Sequence, residues 1–464
     1  MKFKINIWLL LSTLLTLFLV SACNNDEDEF DSTPIIVNAV YLQDAESSVP
    51  DREVEFVRLG QVLRIEGSGF TGMQKVFVNG YSTYFNPVYV SNNSMLIQVS
   101  GETPTVEADE DVRNTIKFEK KETELVYPFE VRDAAPSISS ISHTLPQIGE
   151  PITIYGSGLI EINKVVFPGN VEVTEGITSD EDGEFCTLIV PDGIEESGSV
   201  FVEGANGGAY SPSYFNFTEG VILNFDGLGQ QGFWSWTETG SMINDEDLKS
   251  DPIGEGNVSQ GNYVPHRPER IAEFGPAANR RSEVWTAGND VDDWRGQLTE
   301  YIPATTPVSD FAFQFDVFVP DEWTNTGFLK ILLYNNYNGG EWSGNVYNYV
   351  PWIEGKQVVP FKNEGWQTVT VPFNEFYGFS DAEAEYTFED VLVAREGATY
   401  KNFGIFFENS DFNLSQVTGN SADESVEFPS SATSVQVYTD NWRIVPNTTP
   451  TYSDFPDEEE EAAE

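Results

Sequence analysis

The residues best suited to chemistry lie in the segment 323–352, which combines aromatic rings with amide side chains. Its thirty residues include eight aromatic residues, six Asn and four Gly. An aromatic ring can stack on the apolar C–H face of a sugar, and an amide can hydrogen-bond the sugar hydroxyls. Because loops lie at the surface, this Gly- and Asn-rich pattern favours a sugar-binding surface. The alternative is that the same rings form the core of a β-sandwich.

The charge balance of the chain excludes one class of partner. Lys and Arg number 24 against 75 Asp and Glu, which gives a formal net charge of −51 at pH 7. Such a field repels phosphate backbones, so nucleic acid is excluded as a partner, and anionic polysaccharides are disfavoured for the same reason. Two His and two Cys, all far apart in the sequence, are too few for a zinc site, and no metal site is predicted.

The first 23 residues have the pattern of a secretory leader. Lys2 and Lys4 precede the apolar run 5–20, and small residues then lead to Cys23. This pattern resembles the lipobox of bacterial lipoproteins, which implies a lipid on Cys23 and anchoring to the outer membrane. The tether 24–33 begins with an acidic run that resembles the surface-export signal of Bacteroidetes lipoproteins, although a plain acidic linker remains the alternative. Lipidation of Cys23 would leave Cys186 alone, as a small buried hydrophobic residue.

A repeat follows the tether. Residues 60–80 and 149–169 align without gaps at an offset of 89, with eight identities, and each copy contains a strand, a Gly-Ser-Gly turn and a second strand. The offset is the size of one immunoglobulin-like sandwich. The repeat resembles the IPT/TIG family of immunoglobulin-like domains, which predicts domains at 34–134 and 135–218 that act as spacers.

The remainder of the chain has a different composition. Alternating strands such as 311–319, 365–373 and 434–446 are joined by long polar loops, and this predicts a jelly-roll sandwich over 219–446. The fold class is therefore all-β: two immunoglobulin-like sandwiches followed by a jelly roll. The end of the chain, 447–464, is predicted to be an acidic disordered tail. Among the aromatic residues, the alternation favours core positions for Phe328, Trp366 and Trp442, and leaves Tyr334 and Trp285 open.

The order of these parts resembles the surface glycan-binding lipoproteins of Bacteroidetes polysaccharide utilisation loci, whose last domain resembles the xyloglucan-binding domain. The resemblance implies a non-catalytic protein at the cell surface. It would capture a polysaccharide, such as a neutral β-glucan or a related plant or algal polymer, and pass it to an outer-membrane glycan importer complex.

The resemblance also implies where the glycan binds, between the strand 311–319 and the strand 365–373. The stacking rings are then expected to be Trp323, Trp342, Tyr349 and Trp352. Hydroxyl contacts are expected from Asn335, Asn336, Asn348 and Glu354. A second, weaker cluster is Trp294 with Arg295.

Two other function classes fit parts of the sequence. A jelly-roll glycoside hydrolase would need a pair of carboxylates, and Glu341 or Glu354 could supply one. A surface adhesin would use exposed rings to bind a protein partner. No cofactor is predicted, although the acidic loops could supply oxygen ligands for a structural calcium ion, without the spacing of an EF-hand.

Overall fold

β-Strands build most of the chain that the structure describes. The structure is a computed structural model that describes residues 32–232, 242–250, 261–266, 281–286, 298–334, 346–431 and 433–455. These residues form two compact units, one of 32–135 with 205–207 and 453–455, and one of 136–204 with the described part of 208–452. No helix among them is long and apolar enough to cross a membrane. The predicted all-β fold class is confirmed.

The first unit contains a β-sandwich. Its strands are β1 Ile36–Gln43, β2 Asp51–Glu53, β3 Phe56–Arg58, β4 Val62–Ser68, β5 Lys75–Val78, β6 Tyr81–Thr83, β7 Ser94–Gln98, β8 Thr115–Glu119, β9 Glu124–Pro128 and β10 Glu130–Arg132, and a 3-10 turn lies at Pro87–Tyr89. The two larger sheets have the orders β2-β1-β4-β7 and β6-β5-β8-β9, and β10 pairs with β3 in parallel. Alternate residues of the facing strands, such as Leu63, Ile65, Ile116 and Phe118, fill the core.

The second sandwich repeats this plan. Its strands are β11 Ser137–Ile141, β12 Pro151–Ser157, β13 Lys164–Phe167, β14 Val171–Val173, β15 Thr178–Ser179, β16 Phe185–Ile189, β17 Phe201–Gly204 and β18 Gly207–Tyr210. Its sheets have the orders β11-β12-β16-β15 and β14-β13-β17-β18. Cys186 is completely buried in this core, as predicted, and burial raises the pKa of its thiol to about 11.

The repeated glycines have a physical cause. A Cβ on Gly67 would lie 1.9 Å from the carbonyl oxygen of Ile36, and a Cβ on Gly156 would lie 1.9 Å from that of Ser137. In both copies the close approach occurs beside a register shift between the first strand and its partner. Only glycine permits this approach of two backbones, so the repeat preserves a bulged strand pair.

The jelly roll follows the second sandwich. Its strands are β19 Val221–Leu223, β20 Val264–His266, β21 Arg281–Trp285, β22 Phe311–Phe318, β23 Phe328–Leu332, β24 Val346–Tyr349, β25 Ile353–Glu354, β26 Gln357–Val358, β27 Gln367–Pro372, β28 Gly404–Glu408, β29 Phe412–Asn413, β30 Glu427–Phe428 and β31 Val437–Pro446. The helices are α1 Phe388–Gly397 and α2 Ser415–Thr418, and 3-10 turns lie at Asp245–Asp247, Phe373–Glu375, Tyr377–Phe379 and Ser421–Asp423.

Two sheets of the jelly roll enclose a large aromatic core. One has the order β19-β31-β22-β27, with β20 also paired to β31, and the other has the order β21-β28-β23-β24. Phe328, Trp366 and Trp442 are buried, as predicted, and Trp285 is buried as well. Tyr334 is half-buried.

A buried polar cluster, here called the joint, connects the second sandwich to the jelly roll. Its centre is the ion pair of Arg443 and Asp316, with Nη2 and Oδ1 2.9 Å apart and both side chains 1% exposed. The second sandwich contributes His143, whose Nε2 lies 3.3 Å from Asp316 Oδ2, and Thr144, whose hydroxyl accepts from Arg443 Nη2 at 2.9 Å. The backbone N–H of Thr368 also donates to the carbonyl of Ser142 at 2.7 Å.

The end of the chain differs from its prediction. Residues 447–455 make defined contacts, so the prediction of a disordered tail is wrong for them. Within the first unit, Phe455 stacks on Phe56 at 5.3 Å, and the guanidinium of Arg52 lies 3.9 Å from the Phe455 ring centroid. Asp454 pairs with Arg58 in the same unit. Aromatic stacking and charge pairing hold a sequence that its acidic composition alone marks as disordered. Residues 456–464 lie outside the described residues.

Candidate functional site

Two of the predicted stacking rings are core residues. Trp323 and Trp352 have no exposed surface, so the prediction that they stack on a ligand is wrong. The indole of Trp323 lies against Phe407 and donates to the carbonyl of Thr326 at 2.7 Å. The indole of Trp352 donates to the carbonyl of Gly327 at 2.9 Å. The chain around each ring is irregular, but a buried indole with a paired N–H fixes such a segment from inside.

Tyr349 is also turned toward the interior. Its ring lies edge-on to Phe315 and Trp323, and burial raises the pKa of its hydroxyl far above the usual range. Glu354 has the opposite environment, because it is exposed on the hairpin formed by β25 and β26. Tyr349 and Glu354 therefore do not line a common groove, as their predicted contacts with one ligand would require.

Several predicted residues lie outside the described residues. These are Cys23, Trp294, Arg295, Asn335, Asn336 and Trp342, and their roles remain predictions. Glu341, named for the hydrolase alternative, is also outside them.

Asn348 is the predicted residue that the structure places at a pocket. It lies on β24, an edge strand, and is 6% exposed. Neither Nδ2 nor Oδ1 of its amide has a hydrogen-bond partner. A buried polar group left unpaired lowers the stability of the fold by about 1–3 kcal/mol, so Asn348 destabilises the jelly roll locally. Such unpaired groups are uncommon in native structures and point to a missing partner.

The pocket beside Asn348, here called the edge pocket, has a volume of about 150 Å³. Its wall is made by Tyr347, Asn348, Glu375, Tyr377, Ser380, Gln416, Val417, Thr418 and Gly419. This volume is that of about five water molecules, which suits the edge of one sugar ring rather than a run of several.

Three elements bring these side chains together. β24 supplies Tyr347 and Asn348 from the edge of its sheet. The 3-10 turns that follow β27 supply Glu375 and Tyr377. α2 supplies Gln416, and the hydroxyl of Tyr377 donates to the backbone carbonyl of that residue, so the turn and the helix are fixed to one another.

The edge pocket is polar but presents little formal charge. Burial raises the pKa of Tyr347 and of Tyr377, so both hydroxyls remain protonated at neutral pH. Burial also raises the pKa of Glu375, which is the one carboxylate among the described lining residues. Rings, hydroxyls and a carboxamide can accept and donate hydrogen bonds to a neutral polyhydroxylated ligand. No group of three or more His, Cys, Asp and Glu in the described ranges could hold a metal ion.

Sequence reasoning missed most of this pocket. Tyr347 belongs to the aromatic segment 323–352 but is not among the predicted site residues, and neither are Glu375, Tyr377 and Gln416. The only local signal is the sequence FNEFYGF after β27, which mixes rings and a carboxylate much as residues 323–352 do. Gln416 carries no such signal, because only the fold brings it to β24.

The sequence is similar to known proteins. The family model described as "surface glycan-binding protein B xyloglucan binding domain" matches residues 215–446, half of the chain. A Bacteroides ovatus protein described as "IPT/TIG domain-containing protein" is 21% identical over 523 aligned positions, which cover 92% of this chain and 95% of that protein.

A solved structure from Prevotella bryantii gives the same picture of the fold. The surface glycan-binding protein PbSGBP-B from Prevotella bryantii matches with a TM-score of 0.60 and 19% identity, over 90% of this chain and 100% of that one. SGBP-B from a complex xyloglucan utilization locus in Bacteroides uniformis matches with a TM-score of 0.45 and 17% identity, over 89% and 100% of the two chains. Because the family model spans half of the sequence, the chain belongs to the surface glycan-binding protein B family and carries that family's xyloglucan-binding domain.

Proposed function

We propose that the jelly roll binds a neutral β-glucan, of which xyloglucan fits the family best, and that the edge pocket holds part of it. The observation that carries this proposal is Asn348, a buried amide with both polar atoms unpaired in the wall of a polar pocket. A sugar hydroxyl both donates and accepts. Each polar atom of the amide has less than 1 Å² of accessible surface, so one or two hydroxyls would satisfy the amide after its side chain turns toward the pocket. Tyr347 and Tyr377 add ring surface and hydroxyls at the same place.

The pocket supports binding without catalysis. A glycoside hydrolase acts through two carboxyl groups about 5–9.5 Å apart across the scissile bond. Glu375 has no second carboxylate beside it among the described lining residues, and Glu354 lies on a separate hairpin. The raised pKa of Glu375 follows from burial rather than from a neighbouring acid.

The proposal extends to the place and purpose of binding. The leader, Cys23 and the acidic tether support a lipid-anchored protein exposed on the outer membrane, where a captured polysaccharide would be passed to an importer complex. The two sandwiches would then act as spacers between the anchor and the jelly roll. Metabolic labelling with a fatty acid tests the anchor, since Cys23→Ser is expected to abolish incorporation.

Affinity gel electrophoresis tests the binding site. The full mature chain is expected to be retarded by xyloglucan or by mixed-linkage glucan, and Tyr347→Ala is expected to reduce the retardation by tenfold or more. Tyr400→Ala is the matched control, because Tyr400 is 59% exposed and lies outside the pocket. Equal retardation of both variants would contradict the edge pocket. A chain that no glycan of a broad panel retards would contradict glycan capture and would favour a protein partner.

A further inference from the structure

A second pocket lies at the opposite edge of the jelly roll, and we propose that it is a second sugar-binding site for the same class of glycan. This inference rests on the proposed function. The pocket, here called the loop pocket, has a volume of about 410 Å³ and follows strand β19. The residues that carry the argument are Phe225, Gln230, Gln231, Asp245 and Asn262.

The strand order separates the two pockets. The loop pocket begins at the end of β19, and Gln231 bridges to Thr286 just after β21, so it lies beside the edge strands β19 and β21. The edge pocket lies beside β24 and the turn that follows β27, the edge strands on the other side. Each pocket is therefore open to ligand independently of the other.

Gln231 is the observation that points to a ligand. Its side chain lines the loop pocket and the residue is 4% exposed. Its Nε2 donates to the carbonyl of Ile243, which holds the amide in place, whereas its Oε1 has no hydrogen-bond partner. An unpaired buried acceptor calls for a donor. Oε1 has less than 1 Å² of accessible surface, so a sugar hydroxyl would supply that donor after the amide turns toward the pocket.

The wall of the loop pocket is preformed. The carboxylate of Asp226 accepts from the backbone N–H of Asn262 at 2.9 Å and from its Nδ2 at 2.8 Å. A Cβ on Gly261 would lie 2.2 Å from Asp226, so glycine permits this close contact. Phe225 has a φ of 61°, and its ring lies edge-on to Trp442 at 5.8 Å. A loop fixed in this way loses little entropy when a ligand binds.

The lining identifies the class of ligand. Gln230, Gln231 and Asn262 are carboxamides, and Phe225 offers ring surface, which together suit a neutral sugar. A cation is a poorer fit, because Asp245 is the one carboxylate among the described lining residues and both oxygens of the nearby Asp226 already accept hydrogen bonds from Asn262. The loop pocket has more than twice the volume of the edge pocket, so it can accept a longer part of a glycan.

Calorimetric titration of the full mature chain tests the second site, with a xylogluco-oligosaccharide and a mixed-linkage heptasaccharide as the probes. We expect two ligands per chain. Gln230→Ala, an exposed position, and Gln231→Leu are each expected to reduce the stoichiometry to one, and Asn348→Ala is expected to do the same from the other edge. Gln357→Ala, an exposed glutamine on the β25–β26 hairpin, is the matched control and should leave two.

The possible failures are distinct. The second site would be overturned if the wild type bound one ligand per chain and only Asn348→Ala lost it, while Gln230→Ala and Gln231→Leu retained it. The proposed function would then remain intact. One ligand lost only in the two glutamine variants would support the loop pocket and overturn the edge pocket. A chain that binds neither probe nor any other glycan would overturn the proposed function and this inference together. Melting temperatures within about 2 °C of the wild type show that a lost ligand does not reflect unfolding.

Discussion

The joint and the edge pocket both bury polar side chains in the same jelly roll, but they satisfy them differently. In the joint, Arg443 donates from Nε to Gln314 at 3.0 Å and from Nη1 to the carbonyl of Asn441 at 2.6 Å, in addition to its ion pair with Asp316. In the edge pocket, the amide of Asn348 has no partner at either polar atom. A fully paired cluster stabilises one arrangement of the protein, whereas an unpaired group stores a cost that a ligand can remove.

The pKa values of the carboxyl groups in the two regions are shifted in opposite directions. Burial disfavours the charged form of Asp316, but the Arg443 guanidinium and the His143 imidazole outweigh it and hold the pKa of Asp316 well below its usual range. Glu375 has no cation beside it among the described residues that line the edge pocket, and burial raises its pKa. The surroundings of Asp316 therefore favour its charged form, whereas burial disfavours the charged form of Glu375.

The largest expected effect comes from breaking the joint. Arg443→Met removes the guanidinium that pairs with the buried carboxylate of Asp316, and removing one partner of a buried ion pair typically costs about 3–5 kcal/mol of the free energy of unfolding. Urea denaturation followed by tryptophan fluorescence measures this cost, because nine of the ten tryptophans lie between Trp234 and Trp442.

Lys401→Met is the control for that measurement. Lys401 pairs with Glu396 at 2.9 Å on the surface, and such pairs contribute about 0–1 kcal/mol. The double variant Arg443→Met with Asp316→Leu is expected to recover part of the loss, since no charge is then left unpaired. If Arg443→Met costs no more than Lys401→Met, the joint does not stabilise the domain.

Acid is expected to weaken the joint next. A carboxyl with a depressed folded pKa contributes stability above its unfolded pKa of about 3.9 and loses it as the pH falls through the folded value. The wild type should therefore lose more unfolding free energy between pH 5 and pH 2 than Asp316→Asn does. Parallel pH curves for the two proteins would show that Asp316 is not held ionised by Arg443 and His143.

Replacing the polar side chain in the edge pocket is expected not to lower stability, unlike the replacements in the joint. Asn348→Leu removes an unpaired amide of similar size, so the free energy of unfolding is expected to stay equal or to rise by about 1 kcal/mol. Glucan binding is expected to fall at least tenfold, which corresponds to about 1.4 kcal/mol. Chemical denaturation and affinity electrophoresis of the same variant measure the two changes.

Asn363→Leu is the matched control for Asn348→Leu. Asn363 is equally buried, but its Oδ1 accepts from Val319 at 2.5 Å and its Nδ2 donates to Val317 at 3.1 Å. This variant is expected to lose about 1–3 kcal/mol of stability and to keep its glucan affinity. The comparison fails if both asparagine variants destabilise the domain equally.

The sequence predicts the fold better than the site, and particular residues show why. Gly67 and Gly156 repeat because a backbone contact repeats, so a local pattern indicates the sandwiches. The burial of Trp323 depends instead on Phe407, which lies 84 residues later and stacks against it. The local sequence of a Gly- and Asn-rich segment does not indicate such a contact. The expectation that rings in loops are exposed is therefore wrong for Trp323.

Long-range assembly also hides the edge pocket and the joint. Tyr377 and Gln416 meet because a turn after β27 and the short helix α2 converge on β24. Arg443 occupies an alternating strand whose pattern gives no sign that its side chain is completely buried. Asn348 is predicted from its residue type alone, and its unpaired amide supports the proposed contact with a glycan.

Glu354 gives the smallest expected effect and separates the sequence-based site from the edge pocket. It is exposed on the β25–β26 hairpin and does not line the pocket, so Glu354→Gln should change stability by less than about 0.5 kcal/mol. Retardation by xyloglucan in an affinity gel should also remain within twofold of the wild type, because the change removes a charge that solvent already screens. A tenfold loss of retardation would place the glycan across the hairpin, and the unpaired amide of Asn348 would then need another explanation.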